Sequence, residues 1–112
     1  IRDRYYRLSK DYKKIKEVLL PFSSQGEKNF EIYFFLGISS HGLGEVKEAL
    51  EYYNKYISHH GLDAQVLNLV GDCHLRLGNT REAEMAFTKS LEINPNQEDI
   101  KKLLHYLKQK NK

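Results

Sequence analysis

The 112-residue chain matches itself at an offset of 34. Leu36-Gly37 falls on Val70-Gly71, Gly44 on Gly78, Glu48-Ala49 on Glu82-Ala83, Tyr53 on Phe87 and Tyr33 on Leu67. Residue types agree, and so does their order. A period of this length marks one supersecondary unit that cannot bury its apolar side alone, so the units must stack and share a core. Two full periods fit, over 30–63 and 64–97, flanked by residues 1–29 and 98–112.

Each period reads as two antiparallel helices joined by a tight turn. Gly37 and Gly71 lie within the first helix, where glycine costs roughly 1 kcal/mol relative to alanine, so their recurrence predicts close approach by the second helix. Ala49 and Ala83 give that second helix a small surface. Tyr53 and Phe87, one turn further on, fill the space beside it. Gly44 and Gly78 end the first helices in the left-handed conformation. Asn79-Thr80-Arg81-Glu82 has the form of an N-cap with glutamate three residues on, and Asn96-Gln97-Glu98-Asp99 opens a last helix after Pro95.

The flanks are helical too. Tyr5, Leu8, Tyr12, Ile15, Val18, Leu19 and Phe22 recur at helical spacing, which predicts a degenerate helical pair over 1–29, closed by Pro21 and Ser23-Ser24-Gln25-Gly26. Ile100, Leu103, Leu104 and Leu107 form one apolar stripe with lysines opposite, as expected of a capping helix over 98–112.

Leu67-x-x-Val70-Gly71-x-x-His74, Gly78, Ala83-x-x-x-Phe87 and Asn94-Pro95-Asn96 together resemble the tetratricopeptide repeat. The first period has Tyr33, Leu36-Gly37, Ala49 and Tyr53, with Gly61 where the family's proline falls. The resemblance implies an all-α, right-handed α-solenoid of antiparallel helix pairs. It also implies a concave groove, lined by first helices, that takes a peptide or a partner helix. Carried over to this chain, the groove residues are Glu31, Phe34, Ile38 and His41 from the first period and Gln65, Asn68, Asp72 and Arg76 from the second, with Arg4 and Arg7 as a basic rim. One subgroup of the family clamps the C-terminal carboxylate of chaperone tails. Its Lys and Asn slots fall here on Phe34, Ile38 and Leu69, and the Lys and Arg slots of a third repeat on Asp99 and Leu103, so that clamp is absent. The expected ligand is a mixed apolar and basic segment. The competing reading has Phe34 and Ile38 packed on residues 1–23.

Charge is partitioned along the chain. Residues 1–16 hold seven Arg/Lys against two acids, residues 101–112 hold five Lys and no acid, and the stretch between holds six basic against thirteen acidic residues. A nucleic-acid binder concentrates positive charge on its main body, so a nucleic-acid partner is not expected. No apolar run reaches the 18 residues of a membrane span. Cys73 is the single cysteine and does not separate cytoplasm from bacterial periplasm. The start, Ile1-Arg2-Asp3-Arg4, has neither initiator Met nor signal core, and it reads as the start of a piece cut from a longer, bacterial chain.

Competing chemistry is weak. Cys73 and His74 are adjacent and point about 100° apart on a helix, and no C-x-x-C or H-x-x-x-H spacing occurs, so neither metal nor cofactor is expected. Cys73 reads as a small core residue and His74 as a packing residue. The His59-His60 pair suits the negative end of a helix dipole. The sequence therefore predicts a non-catalytic protein-interaction module within a larger scaffold protein. The alternative is a structural spacer or self-association domain with no free-peptide ligand. Two full repeats are marginal for an isolated solenoid, so a homodimer through Tyr5 and Tyr6 at the amino-terminal end is a separate expectation.

Overall fold

The computed structural model describes residues 2–25 and 29–110, with side chains for 11–24 and 29–110. All regular structure among them is helical: α1 (Arg2–Leu19), a 3₁₀ helix (Leu20–Gln25), α2 (Glu31–Gly42), α3 (Val46–His60), α4 (Ala64–Arg76), α5 (Thr80–Ile93) and α6 (Glu98–Lys110). The helices fall into two compact units, Ile1–Gly61 and Leu62–Lys112.

In the first unit α2 and α3 form a helical hairpin whose core is Tyr33, Leu36, Ser39, Ser40, Ala49 and Tyr53, all buried. A β-carbon added to Gly37 would lie 2.5 Å from Cε1 of Tyr53, so the missing side chain is what lets the ring lie on the α2 backbone. The second unit repeats the arrangement in α4 and α5. There a β-carbon on Gly71 would lie 2.6 Å from Cε1 of Phe87, and the core is Val66, Leu67, Val70, Cys73, Ala83, Ala86, Phe87 and Ser90. The ring-on-glycine contact expected from the 34-residue spacing is present in both hairpins.

The turns agree as closely. Glu45 N donates to Ser40 O at 2.8 Å and Asn79 N to His74 O at 2.8 Å, the six-to-one bond of a Schellman cap, with Gly44 and Gly78 at φ +82° and +81°. Helix starts are less uniform. Asp63 Oδ1 accepts from Val66 N at 3.2 Å and caps α4. Asn79 stands at the N-cap of α5 but makes no side-chain cap bond. Its Nδ2 instead meets His74 Nδ1 at 3.4 Å, so the capping box expected there is not formed through the asparagine side chain.

α6 lays Leu104 and Leu107 on Ala83 and Phe87, with Leu75, Leu91, Ile100 and Leu103 around them. The apolar stripe read from the sequence thus covers one side of the α4–α5 hairpin. The amino-terminal segment departs from the helical pair expected there. One continuous helix runs from Arg2 to Leu19, and only a short 3₁₀ turn follows. No glycine or proline interrupts residues 2–19, and Pro21 stops the helix where it stands. α1 packs on α2.

Candidate functional site

The first-helix face of the α2–α3 hairpin is aromatic. Phe34 is half-buried, with its ring centroid 5.7 Å from that of Phe35 and 5.4 Å from that of Tyr56 on α3. Tyr56 in turn lies 5.6 Å from Phe30 and stacks on His60 at 4.9 Å. Phe30, Phe34, Tyr56 and His60 therefore form one cluster between the start of α2 and the end of α3. Phe35 stands beside it, 50% exposed. Glu31 is exposed and Ile38 is half-buried. His41 is half-buried and turned toward its own hairpin, where Nδ1 meets Tyr53 Oη at 2.9 Å. Register puts Glu31, Phe34, Ile38 and His41 on this face, and the structure adds Phe35 and the contact of Tyr56 with Phe34. The i, i+4 pair of Phe30 and Phe34 was the available signal.

On the α4–α5 hairpin the corresponding face is polar. Gln65 is exposed. Asp72 and Arg76 are partly exposed, and Arg76 Nε donates to Asp72 Oδ2 at 2.9 Å across one helical turn. Asn68 is half-buried and tied inward, its Nδ2 donating to Gln97 Oε1 at 2.7 Å. Gln97 Nε2 donates onward to Ser90 O, Ser90 Oγ and Asn94 O, and Ser90 Oγ donates to Ala64 O at 3.0 Å. Because Gln97 spends its amide nitrogen on two carbonyls, its oxygen must face Asn68, which fixes the Asn68 amide with its nitrogen toward Gln97. Asn68 is thus first a structural tie between α4 and the entry to α6. Sequence spacing alone does not show that tie, since the partners lie 29 residues apart.

The side chains of Arg4, Tyr5, Tyr6 and Arg7, read as a basic rim and as dimer contacts, lie outside the described residues. Cys73 is fully buried, and loss of water around the thiol, reinforced by the Asp72 charge, pushes its pKa up to about 11. Such a thiol is protonated at neutral pH and a poor nucleophile. His59 and His60 are exposed at the end of α3, His59 stacked on Tyr33 at 5.8 Å. Among the described residues no three His, Cys, Asp or Glu side chains converge as metal ligands, and no helix is long and apolar enough to cross a membrane.

Two hairpins with the same ring-on-glycine core and the same Schellman exit, 34 residues apart, define the repeating unit. A family model described as the tetratricopeptide repeat matches residues 30–96, which takes in both. The chain belongs to the tetratricopeptide repeat family. Its all-helical content agrees with the helical solenoid class of that family. No curated protein matches the chain. Tetratricopeptide repeats generally mediate protein–protein contacts and are generally non-catalytic, so the partners to be sought are proteins.

Proposed function

We propose that this chain is a non-catalytic interaction module of a larger scaffold protein, holding a peptide or partner helix on the first-helix faces of its repeats, α2 and α4. The observation that carries the reading is the α2 face. Phe34 and Ile38 stay half-buried and Phe35 half-exposed, although the hairpin core behind them is closed. A receptor leaves such side chains reachable, whereas a spacer buries them against its own chain or a copy of itself. Glu31, exposed at the start of α2, adds negative charge beside the aromatic surface, which suits a ligand with apolar and basic residues. The α4 face, taken by itself, offers polar contacts through Gln65, Asp72 and Arg76.

The test is a crosslinking pull-down from the source cell with the wild-type chain and a Glu31→Lys, Gln65→Arg variant. Both sites are exposed, so helicity should be kept and stability should fall by no more than about 1 kcal/mol, mainly from the reversed charge at the start of α2. Specific capture by the wild type and its loss in the variant support the proposal. Equal capture by both, or capture of copies of the parent chain alone, rejects it in favour of a structural spacer.

A further inference from the structure

Glu31 is the only Asp, Glu, Lys or Arg side chain of α2. It is exposed, and it makes no ion pair or side-chain hydrogen bond with any described residue. Phe34 and Phe35 stand three and four residues further on, so both rings neighbour the carboxylate on the helix surface. The Phe35 ring is half-exposed, and Phe34 meets it nearly edge-on, at 75° between the ring planes. His60 makes its ring contacts with Phe30 and Tyr56, not with Phe35.

The helix dipole accounts for a glutamate in the first turn. It does not account for an open phenylalanine ring one turn along the same ridge. A free carboxylate beside an exposed aromatic ring suits a guanidinium: the planar, weakly hydrated ion lies on the ring while its N–H edge donates to both carboxylate oxygens. An ammonium is more strongly hydrated and has no flat face to lay on the ring. A nucleobase could stack on Phe35, but its phosphates would meet the charge of Glu31.

We propose that Glu31 and Phe35 form an arginine anchor on the α2 face: an arginine of the protein ligand stacks on the Phe35 ring and pairs with the Glu31 carboxylate. The proposal rests on the reading of α2 as a ligand-holding face and names the side chain that the face selects.

The probes come from random peptides of about twelve residues, displayed on phage and panned against the 112-residue chain. Selected peptides are made with a fluorophore, each as found and with arginine replaced by lysine or by citrulline, which keeps the planar group but not its charge. Binding is read by anisotropy and located by amide chemical shifts. Arginine should recur among the selected peptides, amides of 31–38 should shift, and either replacement should weaken binding about fivefold or more. Glu31→Gln should bring the arginine and citrulline peptides within about twofold of each other, and Phe35→Leu should do the same for arginine and lysine. Both positions are exposed, so both variants should keep the fold. Peptides that shift 31–38 without a preference for arginine, or with one that Glu31→Gln leaves intact, overturn the anchor while the α2 reading stands. No selected peptide, or peptides that shift no amide of α2, overturn both. A wild-type dimer that Glu31→Gln dissociates also overturns the proposal, since a second copy would then supply the cation.

Discussion

A methyl group placed on Gly71 would start 2.6 Å from two ring atoms of Phe87, against an ordinary carbon–carbon contact near 3.5–4 Å. Alanine in mid-helix gains roughly 1 kcal/mol over glycine, but overpacking a closed core costs about 1–3 kcal/mol. Phe87 is almost fully buried and has nowhere to go, so the second effect wins. Gly71→Ala should lose up to about 2 kcal/mol in urea unfolding, and Gly37→Ala, against Tyr53, should behave alike. A gain in stability from either would show that the rings do not sit on the glycines. At Cys73 the expectation is kinetic. With its pKa near 11, the thiol should resist a disulfide reagent at pH 8 in the folded chain and react at once in denaturant. Rapid native-state labelling would contradict its burial. These two sites were legible in the sequence because glycine and cysteine carry few alternative meanings within a repeating helical pattern. His41 was less so, since the same slot suits an outward side chain or one bonded to Tyr53, and only the ring's position decides.

Helix boundaries followed from turn chemistry wherever backbone conformation was at stake. Gly44 and Gly78 closed the first helices as their spacing implied. Side-chain caps were harder to read. Asn79 has the N-cap sequence without the bond, and Asp63 has the bond in a less regular context. Asp63→Ala should therefore cost about 1 kcal/mol, and Asn79→Ala no more than a few tenths, in paired thermal or urea unfolding. The reverse order would mean that Asn79 caps α5 in solution. The attachment of α1 also belongs to this scale. Burial opposes the charge on Lys16, but hydrogen bonds to Glu45 and Glu48, with their charges, outweigh it and raise its pKa. The Lys16 hydrogen bond, against some loss of hydration, holds the Glu48 carboxyl below its ordinary range. The glutamate contribution is present above the unfolded carboxylate pKa, near 4.3, and is lost as pH falls through the lowered folded value. The lysine contribution is present below about 10.4 and is lost as pH rises through the raised value. Both glutamates are partly exposed, so the latch is worth about 1 kcal/mol or less. Lys16→Met should remove that amount at pH 7 and flatten the decline in stability below pH 4. An unchanged acid profile would show that the latch does not form. Nothing in the sequence pointed to it, because it joins residues 29 and 32 positions apart.

Two helical hairpins of one family, each closed by its own core, present first-helix faces of different character: aromatic on α2 and polar on α4. The repeat and its all-helical class were readable from a 34-residue self-match, since each recurring slot has one packing role. The interacting faces were readable only as positions. Register placed Phe34, Ile38, Asn68 and Asp72 on first helices. It did not show that Tyr56 backs Phe34, that Gln97 holds Asn68, or that Phe35 stands exposed. The central claim is that a protein ligand lies on these faces. The most direct measurement is site-specific photo-crosslinking in the source cell, with the probe placed in turn at Glu31, Gln65 and, on the outer side of α5, Met85, each an exposed position. Adducts with one partner polypeptide from 31 and 65, and none from 85, are the predicted result. Adducts from 85 alone, or from 31 and 65 only with copies of this chain, would contradict it.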